Sequence, residues 1–457
     1  MLKEAPQKNN NTKNRLLNTD EPIHGWYRFV LGYPPHLVRE YLEKLGVSPG
    51  KEWIFDPFCG TATTPVEARL LGYSTVSSDA NPIAILATKV KLNWDIQPEN
   101  LQSTLDDILD FSADCLKKFE LLPVPIGDFQ PSLFNPQILR DHKNHKYKAS
   151  LFNPDQFLPP SSRDLIPAGF ISDKPLLRIL AIRYAIDHII KDRANRDFLF
   201  LALANTIVKS GNIAFGPEVY STKPKEDVNV LGLFYETSIG MLEDLRKATN
   251  GRQKPFPEAQ IFSSDARDLA NVDNRKPIGA VITSPPYPNE KDYTRSTRLE
   301  SVLLGLIVNK ADLRALKSHL IRSNTRNVFV NDDDDKYIQD IPSIISVADE
   351  IEKKRLDLQK TSGFEKLYHR ATRLYFGGMY RHFENLLPKM KRGGKCAYVV
   401  GDQMSYFRVH IQTAQLLAEC ATKAGFHVEG IDLWRTRRST VTGVDLEENV
   451  LILKRPN

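Results

Sequence analysis

Apolar positions along this chain switch repeatedly between helical and strand spacing. Leu37, Val38, Tyr41, Leu42 and Leu45 recur three and four apart, which predicts an amphipathic helix after an aromatic, proline-rich approach, "HGWYRFVLGYPP". The stretch "EWIFDPFCGTATTPVEARLLGYSTVSSDANP" then reads as strand, tight turn, helix and strand. The helix runs over Thr63 to Leu71 and stops at Gly72, and the second strand, over Ser74 to Ser77, ends at Asp79. From about 96 to 255 the texture is helical, in segments such as "PLLRILAIRYAIDHIIKD" and "RDFLFLALANTIVKS", separated by proline-rich, basic and aromatic loops such as "ILRDHKNHKYKASLFNP". The strand pattern resumes at "QIFSSDARDL" and "IGAVITSPPY". A charged segment over roughly 307–365 follows, whose acid run "VNDDDDKY" reads as a solvated loop. The last hundred residues supply helix, glycine turn, buried strand, helix and two more strands. Strands alternating with helices predict a parallel α/β sheet, here interrupted by a large helical insertion.

Composition narrows the class. The 457 residues are 41% apolar and 26% charged, enough for a large folded core. Residues 1–20 are polar and lack an apolar signal segment, so they read as a disordered tail. No run reaches the length of a membrane helix. Four scattered cysteines, Cys59, Cys115, Cys396 and Cys420, have no metal-ligand or disulfide spacing, which points to an intracellular protein without a metal site. A net charge of +6 suits a polyanionic partner without establishing one.

The candidate chemistry lies where strands end. Asp56 leaves a strand into a turn containing Gly60, where backbone can approach a ligand closely and a helix N-terminus offers free N–H groups. Asp79 ends the next strand, placed as an acceptor for ribose hydroxyls. The G-x-G-x-x-G fingerprint is absent, so a nucleoside cofactor without a pyrophosphate fits better. Asp265 follows a third strand; alone it reads more readily as a helix N-cap than as a ligand acceptor. In "TSPPY", consecutive prolines stiffen the strand exit. Ser284 Oγ and the Pro285 carbonyl could accept from one exocyclic amine, and Tyr287 could stack on the ring that carries it. "PPY" alone also suits an ordinary surface or partner-binding segment.

Together these stretches resemble the amino-directed class of S-adenosylmethionine-dependent DNA methyltransferases, over roughly residues 22–95 and 258–457. The resemblance implies a Rossmann-like class I fold with a seven-stranded, mostly parallel sheet. It implies that Asp56, Phe58, Cys59, Gly60 and Thr61 form the cofactor loop. Asp79 and Ala80 would meet the ribose, Asp265 and Ala266 the adenine, and Tyr33 the methionine end. Ser284, Pro285, Pro286 and Tyr287 correspond to the catalytic motif, in the serine form associated with cytosine-N4 methylation. Ala62 stands where the family's loop carries a second glycine; alanine fits there only if its φ is negative. The long insertion, taken as 96–257, is the candidate DNA-recognition region, between methyltransferase parts 21–95 and 258–457.

The implied reaction draws a flipped base from double-stranded DNA into the pocket, beside Tyr287. A carbon-5 cytosine mechanism would need a cysteine after proline, and none of the four qualifies. "KDYTRSTR" and "WRTRRST" are candidate phosphate contacts. Adenine-N6 methylation, RNA amino-methylation and a non-catalytic nucleic-acid-binding subunit are the competing readings. A cytoplasmic, nucleoid-associated protein of a bacterium or archaeon, with a separate restriction endonuclease or defence-system subunit as partner, completes the expectation.

Overall fold

The computed structural model describes residues 16, 17, 19–29, 32–121, 148–216, 218–252, 255–273, 275–438 and 443–457. Most of the expected polar tail and most of the basic loop beginning at Ile138 lie outside these residues.

The expected seven-stranded sheet is present. Its strands are β1 (Trp53–Asp56), β2 (Ser74–Asp79), β5 (Ala259–Ser263), β6 (Ile278–Thr283), β7 (Met390–Gly401), β8 (His427–Arg438) and β9 (Asp445–Lys454). They lie in the order β5-β2-β1-β6-β7-β9-β8. β1, β2, β5, β6 and β7 pair in parallel, and β9 runs antiparallel between β7 and β8. β6 is buried along its whole length, as strands covered on both faces must be, and its run Ile278–Ile282 is accordingly almost entirely apolar. The chain leaves β1 towards β2 on one side and later returns as β6 on the other. The crevice between their carboxyl ends is therefore the topological switch point, where open α/β sheets hold ligands.

The helical region contributes four long helices, Pro98–Lys117, Asp173–Ile189, Arg193–Ser210 and Val230–Thr249, and a hairpin of β3 (Ile213–Phe215) and β4 (Val219–Ser221). It does not have a core to itself. Ile23, Trp26 and Tyr27 from the segment before the first long helix share its core, as do Leu299, Val302 and Leu303 from beyond β6. The buried Lys91 ammonium donates to the carbonyls of Tyr27 at 2.6 Å and Thr61 at 2.9 Å, clipping that upstream segment to the turn after β1.

The acid run departs from its expected solvated state. Asp334 is 2% exposed and accepts from Arg267 Nη1 at 3.0 Å and Arg381 Nη1 at 2.7 Å. Asp332 pairs with Arg322 at 2.7 Å. Two arginines distant in sequence compensate the buried charge, which local acidity does not reveal. Helix Tyr368–Leu386 approaches through Gly377, where a Cβ would lie 2.0 Å from the Asp334 carbonyl oxygen. Asp333 keeps to the surface with Lys336.

Candidate functional site

A cavity of about 900 Å³ opens over the switch point. Tyr33, Phe58, Cys59, Gly60, Thr61, Asp79, Ala80, Ala266 and the whole Ser284–Tyr287 stretch line it. These residues come from five separated segments, brought together because each follows the carboxyl end of a parallel strand or packs over one.

On one wall, the turn after β1 wraps Asp79. Its carboxylate accepts from the Gly60 N–H at 3.0 Å and the Asn81 N–H at 2.8 Å. Burial pushes its pKa up while these donors pull it down. Gly60 has φ 47°, and the atoms nearest a Cβ there would be those of the Phe29 ring, at 3.5 Å, and the Phe58 carbonyl. Ala62 has φ 72°, the left-handed value that strains alanine, so the missing second glycine is met by strain and not by a change of turn.

Asp56 and Asp265 stand behind the wall instead of on it. Asp56 is 1% exposed and accepts from Thr283 Oγ1 at 2.6 Å, Tyr33 Oη at 2.9 Å and the Phe58 N–H at 3.2 Å. Desolvation still lifts its carboxyl to about 7. It therefore ties β1 to β6 and to the upstream segment. Both Asp265 oxygens accept from the Arg267 guanidinium, at 2.6 to 3.1 Å, and the same guanidinium reaches Asp334. Ala266 alone of that pair faces the cavity. Its carbonyl accepts from His382 Nδ1 at 2.7 Å, and the His382 ring lies 5.0 Å from that of Phe58. With Nδ1–H so used, His382 Nε2 accepts from Tyr398 Oη at 2.6 Å, and burial holds the imidazole neutral, with its pKa near 4.

The opposite wall is the loop after β6. Ser284 Oγ–H donates to the Val399 carbonyl at 2.9 Å. With its proton committed there, the oxygen can act towards other groups only as an acceptor. Tyr287 rests against the end of β7, where a Cβ on Gly401 would fall 3.1 Å from its ring. Burial and the Glu448 carboxylate keep its phenol protonated. Three residues on, Glu290 takes φ 64° and accepts from the Thr325 N–H and Oγ1, each at 2.9 Å, fixing the loop's far end.

Sequence reading missed several cavity residues. Phe407 and Arg408 occupy consecutive left-handed positions, φ 51° and 62°, on the cavity rim. Of the expected phosphate contacts, Lys291, Arg435, Arg437 and Arg438 line the cavity, whereas Arg298 is buried and donates to Thr294. Ser439 and Thr440 lie outside the described residues. Glu448 orients Arg435 at 2.5 Å and Arg437 at 3.4 Å. A pattern of a glycine ending a strand, "VVGD", was the one signal available for Gly401.

No protein-family model matches the chain. It is similar to the Type II methyltransferase M.BsoBI of Geobacillus stearothermophilus, 26% identical over 319 residues, 68% of this chain and 58% of that protein. It is similar to the Type II methyltransferase M.MvaI of Kocuria varians, 24% identical over 331 residues, 69% of this chain and 65% of that protein. A shorter match, 28% identical over 160 residues, 33% of this chain and 31% of that protein, joins it to the Type II methyltransferase M.AvaI of Nostoc sp.. The chain thus spans less than two thirds of the first two relatives, at 58% and 65% of their lengths, and resembles Type II methyltransferases over most of its own.

Proposed function

We propose that this protein is a DNA methyltransferase that moves a methyl group from S-adenosylmethionine to an exocyclic amine, with N4 of cytosine as the acceptor. The observation that carries the reading is the setting of Ser284, whose hydroxyl proton is spent on Val399 and which lines a cavity shared with Asp79 and Tyr287. An amine conjugated with a heteroaromatic ring is a poor nucleophile. Acceptors that hold its N–H bonds favour the pyramidal form with a free lone pair, and the Pro285 carbonyl is the second acceptor beside Ser284. The rest of the catalysis is alignment. Tyr287, kept protonated and braced by Gly401, offers a flat face for the extruded base.

The chain's residues suit the cofactor. Asp79 faces the cavity with lone pairs left for ribose hydroxyls, and the Gly60 turn leaves room for backbone approach. Phe58, Ala80 and Ala266 would border the nucleoside, with Tyr33 towards its amino-acid end. When bound, S-adenosylmethionine supplies a methyl carbon made electrophilic by its sulfonium. Among the described residues no group of side chains is arranged to hold a metal ion, and the reading needs none.

Double-stranded DNA is the substrate, with residues 96–257 as the region that reads it. A separate endonuclease or defence-system subunit is the partner class this implies. The test is mass spectrometry of nucleosides from DNA of cells expressing the protein. 4-Methylcytosine is the expected product. 6-Methyladenine would move the acceptor to adenine and keep the mechanism, and no methylated amine at all would overturn the reading.

A further inference from the structure

Beside the main cavity lies a second one of about 260 Å³, and the β3–β4 hairpin borders both. Ile213, Ala214 and Phe215 pair antiparallel with Ser221, Tyr220 and Val219. The root of this hairpin is rigid. The Asn212 N–H donates to the Phe170 carbonyl at 2.7 Å, and the Asn212 carbonyl accepts from the Thr222 N–H at 2.8 Å. The Asn212 side chain spans from Ser172 Oγ at 3.1 Å to the Lys225 N–H at 2.8 Å. Gly211 packs so closely that a Cβ would fall 2.8 Å from Leu299.

Its outer end is aromatic and open. Tyr220 is 52% exposed and Phe215 37%, and because Phe215 pairs with Val219 on the cavity side, the Tyr220 ring stands on the hairpin's other, outward face. The Tyr220 ring lies across Gly216, where a Cβ would meet it at 3.2 Å, and Phe215 lines the second cavity. Glu218, at the turn, faces both cavities and pairs with Arg326 at 2.9 Å. Arg326 adjoins Thr325, the residue Glu290 holds, and Glu290 belongs to the loop of Ser284 and Tyr287. The hairpin's outer end is therefore keyed to the loop proposed to receive the base.

We propose that this hairpin is a wedge that enters the duplex beside the target nucleotide, with the Tyr220 ring taking the stacking place of the base drawn into the cavity. The inference rests on the DNA methyltransferase reading above. A base that leaves the stack opens a gap between its neighbours, and a rigid aromatic ring presented on an anchored hairpin closes that gap and slows the base's return. Tyr220 suits this better than Phe215, because it is the more exposed ring and Phe215 is committed to the cavity wall. Lys209 and Lys291, which also line the second cavity, supply positive charge next to the entry point, while Glu218 is neutralised by Arg326.

The test compares the wild type with Tyr220→Ala and Tyr220→Trp. Methyl transfer is measured on a duplex carrying the modified site and on the same duplex with an abasic position opposite the target base. Tyr220→Ala is expected to lower kcat/KM on the paired duplex about tenfold, with cofactor binding unchanged, and to match the wild type on the abasic duplex. Tyr220→Trp is expected to retain wild-type transfer on both. Tyr220→Ala as active as wild type on paired DNA would overturn the wedge. So would an equal loss on both duplexes, which would make the hairpin a reader of base edges. If the wild type itself modifies neither duplex, the methyltransferase reading falls and takes the wedge with it.

Discussion

The two walls of the main cavity are built in opposite ways. The wall at the ends of β1 and β2 comes from one continuous stretch, residues 56–81, and its acid Asp79 accepts from N–H groups of that same stretch, Gly60 and Asn81. The wall at the end of β6 gathers segments far apart in the chain, the loops 284–291 and 403–408 and the end of β8 over 435–438, and carries arginines along an open rim. A wall satisfied from within is preorganised for a ligand of constant shape. A wall with several cationic groups along its rim, two of them oriented by Glu448, suits a polyanion that arrives from outside and leaves again.

The largest expected effect separates the two walls. Asp79→Ala should weaken S-adenosylmethionine binding by about 10- to 100-fold, the worth of hydrogen bonds to a charged acceptor. Tyr287→Ala should leave that binding intact and yet abolish methyl transfer. Calorimetry with the cofactor alongside labelled methyl transfer to DNA reads both, and a Tyr287→Ala variant of full activity would break the comparison.

Behind the first wall, Asp334→Ala leaves the Arg267 and Arg381 guanidinium groups without a shared partner and should destabilise the fold by about 3–5 kcal/mol. Urea unfolding measures this loss. The same denaturation at several pH values examines Asp56. Its folded pKa is raised to about 7, so the native state holds this proton more tightly than the unfolded chain does. Stability from this group is therefore greatest below the unfolded pKa and falls as pH rises towards 7. From pH 5 to pH 7 the wild type should lose about 1–2 kcal/mol relative to Asp56→Asn, which cannot ionise. Parallel pH profiles for the two proteins would remove Asp56 from the account.

On the open wall, Arg408→Ala should weaken DNA binding about tenfold at low salt and reduce the salt slope by about one, leaving cofactor affinity unchanged. Filter binding across a salt series checks it. The smallest effect belongs to the first wall again. Ala62→Gly relieves a left-handed alanine and should raise stability by about 1 kcal/mol, seen as a higher unfolding midpoint.

Legibility followed the same division. Asp79, Gly60, Phe58 and the Ser284–Tyr287 stretch were readable because each lies in a short segment whose strand-turn pattern announces a strand end. Asp56 and Asp265 were readable as strand-end acids, but their facing was not. Asp56 turns inward because Thr283 and Tyr33 donate to it, and Asp265 because Arg267 engages both its oxygens. Gly401, Phe407 and Arg408 carried no comparable signal, since what distinguishes them is contact with Tyr287 or a backbone angle.

Strand and helix periodicity, with the turn residues between, determined a mostly parallel α/β sheet and where its strands end, because hydrophobic spacing and backbone restriction act over a few neighbours. Which carboxylates face the cavity, which acid of "DDDD" is buried, and that the helical region shares its core with the upstream segment were decided only by tertiary structure. Those outcomes depend on which partner reaches each group, from Arg267 two positions beyond Asp265 to Thr283 on another strand from Asp56, and hydrophobic spacing does not encode that pairing.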